Sequence, residues 1–150
     1  MTTKHITGTY LAGYTLDPTF SKARIADTGL IAGTGFVAEA SAILLNAGRI
    51  QADAPGAAGV DLMAGGRLVN KLGAAVGGGA GAVGVDNYDP NSVGGDGGDG
   101  GTGVLLAAGG SVANHGATTG GAGGMGGGGY YTGGRGGDGG LGLGISAPGA

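Results

Sequence analysis

Gly59-Val60-Asp61-Leu62-Met63-Ala64-Gly65-Gly66-Arg67-Leu68-Val69-Asn70 returns 44 residues later as Gly103-Val104-Leu105-Leu106-Ala107-Ala108-Gly109-Gly110-Ser111-Val112-Ala113-Asn114. Seven of the twelve positions are identical. Repetition on this scale predicts stacked units, each burying an apolar face against the next, rather than one folded knot of core. Aligned on the asparagine, the unit is found again upstream. Asp27-Thr28-Gly29, Asn46-Ala47-Gly48, Asn70-Lys71-Leu72-Gly73 and Asn114-His115-Gly116 are spaced by 19, 24 and 44 residues, and 44 is close to two steps of 22. Two residues before each Asn or Asp stands Ile25, Leu44, Leu68 or Val112. Just after each glycine come Ile31, Ile50, Ala75 and Thr118.

The flanks alternate apolar with small or polar residues, as strands buried on one face do. Asn and Asp tolerate a left-handed backbone, and glycine adopts positive φ freely. The unit therefore reads as strand, tight corner, strand. A hairpin shares that local signature, and a meandering sandwich or barrel is the alternative architecture. The recurrence of one corner about every 20 residues favours a solenoid. The expected fold is all-β: a right-handed parallel β-helix, with Ile25, Leu44, Leu68 and Val112 lining one interior. Equivalent asparagines are expected to stack into an amide ladder along its axis.

Glycine contributes 43 of 150 residues, 11 of them before position 76 and 32 after it. Gly94-Gly95-Asp96-Gly97-Gly98-Asp99-Gly100-Gly101-Thr102-Gly103-Val104 is matched by Gly133-Gly134-Arg135-Gly136-Gly137-Asp138-Gly139-Gly140-Leu141-Gly142-Leu143 at eight of eleven positions. Gly-Gly-X triplets fit an extended helix with about three residues per turn. The expectation is polyglycine II-like excursions packed on one side of the solenoid. Gly77–Gly84 and Gly120–Gly129 would run outward. Tips would lie at Asp86–Asn91 and Tyr130–Thr132, and Gly97, Gly98, Gly136 and Gly137 would touch neighbouring backbone. A loose glycine loop is the alternative. The chain then divides as one repeat domain, 1–150. Coils occupy 1–76, a first insert 77–102, a coil 103–119, a second insert 120–141, and the start of a further coil 142–150.

Composition narrows the function. Seven basic residues are scattered and the net charge is −3, so no basic patch marks a nucleic-acid partner. There is no cysteine for a disulfide or a thiolate metal site. No stretch is apolar enough to insert in a membrane. Met1–Gly8 holds no apolar h-region, so export is expected to use a signal elsewhere or of another type. His5 and His115 read as solvated rather than as general bases. Gly121–Gly126 fits Gly-x-Gly-x-x-Gly, a chance match in such a tract. No catalytic residue is assigned.

Calcium is the one candidate cofactor. Gly94–Asp99 and Gly133–Asp138 fit the start of a Gly-Gly-x-Gly-x-Asp calcium repeat, and Asp86, Asp89, Asp96, Asp99 and Asp138 are its candidate ligands. The repeat's next apolar position is glycine in both copies, Gly101 and Gly140. Solvated carboxylates are the competing explanation.

The apolar-x-Asn-x-Gly-x-apolar units preceded by Ala-Gly-Gly resemble repeats of bacterial autotransporter passengers and haemagglutinin-like surface proteins. Ile6-Thr7-Gly8-Thr9, followed by Ile25–Gly29, also resembles the start of such proteins. The glycine inserts are similar to the PGRS tracts of mycobacterial surface proteins and to the polyglycine tips of phage adhesins. These resemblances imply an extracellular or cell-surface structural role. The chain departs from an autotransporter in having no recognisable signal peptide or membrane barrel. With no polar cap legible at either end, the expected partner is a second copy, stacked head-to-tail into fibres. An adhesin that binds glycans through Tyr88, Tyr130 and Tyr131 is the alternative. A polysaccharide-active β-helix enzyme is a third, disfavoured by the sparse acidic residues of the coils.

Overall fold

The computed structural model describes residues 2–146. Among these residues it is all-β, with fifteen short strands and no helix. The chain makes five passes, each laying one strand on each of three sheets. The first sheet holds β1 (Thr3–Ile6), β4 (Lys22–Ile25), β7 (Ala42–Asn46), β10 (Gly66–Asn70) and β13 (Gly110–Asn114) in that order. The second holds β2 (Thr9–Tyr10), β5 (Leu30–Ile31), β8 (Arg49–Gln51), β11 (Ala75–Gly77) and β14 (Ala117–Thr119). The third holds β3 (Tyr14–Leu16), β6 (Phe36–Ala38), β9 (Val60–Leu62), β12 (Val104–Leu106) and β15 (Leu143–Ile145). Every pairing is parallel. The arrangement is solenoid-like, and the sheets do not close into a barrel.

Register resolves the interior into five columns. On the first sheet they run Lys4, Ala23, Leu44, Leu68, Val112 and Ile6, Ile25, Asn46, Asn70, Asn114. The second sheet contributes Tyr10, Ile31, Ile50, Val76, Thr118. The third contributes Tyr14, Phe36, Val60, Val104, Leu143 and Leu16, Ala38, Leu62, Leu106, Ile145. The middle passes are sealed: Ile25, Ile31, Phe36, Leu44, Ile50, Val60, Leu62, Leu68, Val104 and Leu106 are all 0% exposed.

Three sequence expectations need correction. Ile25 pairs with Asn46, so Ala23 stands beside Leu44 and Ile25 belongs to the asparagine column. The corners differ in length: Ala26–Gly29 and Lys71–Ala74 carry two residues more than Ala47–Gly48, which displaces an alignment made on Asp27. For the same reason Val76, not Ala75, is the partner of Ile50. The 44-residue step is one pass rather than two, because Leu68 is directly beside Val112. The surplus chain leaves the solenoid between β11 and β12 and again between β14 and β15. Val112 occupies the interior column but is only partly buried.

Asparagine replaces isoleucine in its column once the column can be bonded. Asn46 Nδ2 donates to Asn70 Oδ1 (2.9 Å), and Asn70 Nδ2 donates to Asn114 Oδ1 (2.8 Å). Each amide also reaches the next pass, Asn46 to the Ala75 carbonyl and Asn70 to that of Ala117. The amides thus tie the first sheet to the second across the corner. Asn70→Leu should destabilise the chain by about 2 kcal/mol in urea titration, since it strands polar partners in a dry interior. Replacing Asn46, Asn70 and Asn114 together should cost less than the sum, because Ile6 and Ile25 already fill the same column.

The Gly65-Gly66 and Gly109-Gly110 pairs explain the Ala-Gly-Gly of the repeat. All four have positive φ (74°, 141°, 79° and 136°), and a Cβ on Gly66 or Gly110 would strike backbone of the adjoining pass. They turn the chain from the third sheet back to the first without side chains in the way.

The first pass differs from the others in its interior residues. Beside Ile6 and Leu16, its interior positions hold Lys4, Tyr10 and Tyr14, residues with apolar bodies and polar ends. Tyr14 stacks on Phe36 at 6.0 Å, Tyr10 meets Tyr14 edge-on at 5.0 Å, and the Lys4 ammonium lies 5.7 Å from the Phe20 ring centre. The fifth pass has no such dressing: Leu143 and Ile145 are 45% and 50% exposed.

Candidate functional site

Residues 78–103 and 120–142 contain four extended runs and two tips. Their hydrogen bonds recur every third residue. Gly78, Gly81 and Gly84 N–H donate to the carbonyls of Thr119, Ala122 and Met125. Gly95, Gly98 and Gly101 donate to Val85, Ala82 and Gly79. Gly97, Gly100 and Gly103 donate to Arg135, Asp138 and Leu141. Gly121, Gly124 and Gly127 donate to Gly101, Gly98 and Gly95, and accept from Gly140, Gly137 and Gly134. Each run is therefore bonded to its neighbours backbone to backbone.

Glycine is required where runs touch. A Cβ at Gly97 or Gly137 would collide with the carbonyl oxygen of Gly124 or Gly98 respectively. The expectation of close approach does not extend evenly to the other two positions. A Cβ at Gly98 would lie 3.1 Å from Ala82 N, and one at Gly136 would be in ordinary contact, 3.5 Å from Gly124 O.

The aspartates serve this array. Asp96 Oδ1 accepts from Arg135 N (2.7 Å), Asp99 Oδ1 from Asp138 N (2.8 Å), and Asp86 Oδ1 from Gly128 N (2.6 Å). Asp89 sits in the first tip, where its own N–H bonds Asn87 Oδ1 at 3.3 Å. Asp138 is exposed. Among the described residues no three His, Cys, Asp or Glu side chains gather as a metal site. Three of the five calcium candidates thus have oxygens engaged with backbone N–H groups.

The two tips lie side by side. Asn87 bridges Gly129 and Val93 bridges Thr132, both in parallel. Tyr130 N donates to Asn87 O and Tyr131 N to Ser92 O. Ser92 Oγ closes the first tip on Asn87 O at 2.7 Å, and Asn91 takes φ 73° at the bend. Tyr88 lies against Gly128, and Tyr130 and Tyr131 meet edge to face at 5.4 Å. The three rings are 65%, 61% and 67% exposed. Exposed Val93 belongs to the same surface, and sequence reading missed it because nothing in its neighbourhood fixed which tip residues meet.

Elsewhere chemistry is sparse. His5 and His115 are both exposed and lie on different passes. A shallow depression beside His115 is lined by Lys71 and Leu72, at the corners joining the first and second sheets. Asp61, on β9, has a raised pKa from burial, and its Oδ1 has no hydrogen-bond partner among the described residues. No described helix is long and apolar enough to cross a membrane. Comparison with protein-family models, curated proteins and solved structures finds no match to this chain.

Proposed function

We propose that this chain is a structural protein of the cell surface or extracellular space, and that it displays an aromatic binding tip. In this reading the solenoid is a right-handed parallel β-helix, and the glycine runs are polyglycine II-like excursions on one side of it. The supporting observation is the pair of adjoining tips, one exposing Tyr88 and the other Tyr130 and Tyr131, at the far end of a backbone-bonded array. Tyrosine presents a flat apolar face and a hydroxyl at low entropic cost, which suits stacking on sugar rings. An array of runs bonded backbone to backbone holds such rings at a fixed distance from the solenoid.

Head-to-tail fibre assembly has the exposed Leu143 and Ile145 in its favour. Its difficulty is the register. Continuing the columns would set Ile6 against the amide of Asn114 and Lys4 against Val112. The display reading therefore carries the proposal. A glycan array probed with the labelled protein should return a small set of related glycans. Tyr130→Ala with Tyr131→Ala should lower that binding at least about tenfold while leaving melting unchanged. Binding that survives the double variant, or no binding to any glycan or cell surface, would contradict it.

A further inference from the structure

The edge of the solenoid formed by the fifth pass presents unpaired groups of three kinds. The first is the amide ladder. Asn46 and Asn70 each pass Nδ2 forward to the next asparagine and to a carbonyl of the next pass. Asn114 Nδ2 has no acceptor among the described residues, although it ends the same column. The second is the strand edge. β13, β14 and β15 are the last strands of their sheets, and Leu143 and Ile145 stand half-exposed in the interior columns.

The third feature is the second excursion. In the first excursion Gly78, Gly81 and Gly84 on one run, and Gly97, Gly100 and Gly103 on the other, donate to the fifth pass, Gly78 to Thr119 at the end of β14 and the rest to the second excursion. The corresponding groups of the second excursion are Gly120, Gly123 and Gly126, and Gly136, Gly139 and Gly142. None of these six N–H groups has a hydrogen-bond acceptor among the described residues. Asp138 continues the pattern: it corresponds to Asp99, whose carboxylate accepts a backbone N–H from the excursion beyond it. Every open group here has a bonded counterpart one pass earlier, and those counterparts define the chemistry that would complement this edge.

We infer that this end docks a further parallel β-coil of the same repeat type. That coil carries an asparagine in the ladder column and a glycine-rich excursion, and it supplies carbonyl oxygens at three-residue spacing. The ladder's polarity requires an amide oxygen above Asn114. The glycine rows require an extended run above 120–126 and another above 136–142. The first pass of a second copy meets neither demand. It offers Ile6 in the ladder column, and its connection from β2 to β3 is only Leu11–Gly13. A second copy is thus the weaker occupant, and its fibres are an outcome the test must detect.

The test uses the full chain and two synthetic peptides from its own fifth pass. Peptide 110–119 covers the ladder strand and its corner, and peptide 110–145 adds an excursion. Fluorescence anisotropy with labelled peptide should show both binding, the longer one more tightly. Asp138→Ala removes an exposed side chain whose only expected partner is the docked excursion. It should weaken peptide 110–145 several-fold and leave 110–119 unchanged. Placing leucine at the ladder asparagine of either peptide should weaken binding about tenfold, with no change to the protein and so no question of its folding. Sedimentation of the chain alone should give a monomer. Fibres of the chain alone would make a second copy the occupant and overturn the inference. So would failure of both peptides to bind, or equal binding by the asparagine and leucine peptides.

Discussion

Leu68→Asp should abolish folding of the solenoid. Leu68 is 0% exposed, with Leu44 on one side and Val112 on the other. Deleting such a side chain alone costs about 2–5 kcal/mol. Aspartate adds a carboxylate with no cation in the interior columns of the neighbouring passes to meet it, and an unpaired buried charge is costlier still. A chain of this size is commonly stable by only about 5–15 kcal/mol, so the loss takes most of that margin. Circular dichroism should show the strand signal gone at 25 °C. A variant that keeps wild-type melting would mean that the column through Leu44, Leu68 and Val112 is wrongly drawn.

The second large effect belongs to the excursions. Gly137→Val and Gly136→Val differ by one position in the same triplet. At Gly137 the new Cβ would drive into the Gly98 carbonyl, so two backbones must part. At Gly136 it meets Gly124 O only at 3.5 Å. Overpacking against side chains costs about 1–3 kcal/mol, and backbone held by hydrogen bonds on both sides yields less readily. Gly137→Val should cost at least about 3 kcal/mol, or detach the second excursion outright, while Gly136→Val stays within about 1 kcal/mol. Proteolysis reads the difference: only the Gly137 variant should be cut readily within 120–142. Equal behaviour of the pair would favour a loose glycine loop.

Much of this was legible in the sequence because the repeat is close to literal. The Gly59–Asn70 and Gly103–Asn114 copies are paired residue for residue through β10 and β13, and the asparagines bond as a ladder. Two of the three misreadings share one cause. A corner can gain two residues without disturbing the strands around it. Asp27-Thr28-Gly29 therefore imitates the Asn-x-Gly corner while standing two positions out of register. The polar-ended interior of the first pass was invisible for a related reason: Lys4, Tyr10 and Tyr14 look like ordinary strand residues until register sets them in the interior columns. In the glycine runs, spacing fixed the period of three. It did not determine which glycine of each triplet meets a backbone, since that depends on which run lies alongside. The three tip tyrosines were visible as candidates. Their placement on adjoining tips depends on the bridges from Asn87 to Gly129 and Val93 to Thr132, which no local pattern encodes.

Residue-resolved amide hydrogen exchange of the glycines tests the central claim, an ordered solenoid bearing ordered glycine excursions. Gly121, Gly124, Gly127, Gly134, Gly137 and Gly140 donate to backbone carbonyls, whereas Gly123, Gly126, Gly136 and Gly139 have no acceptor among the described residues. The account predicts protection that rises and falls with a period of three along 120–142, the first set slow and the second fast. Uniformly fast exchange through both excursions would contradict it.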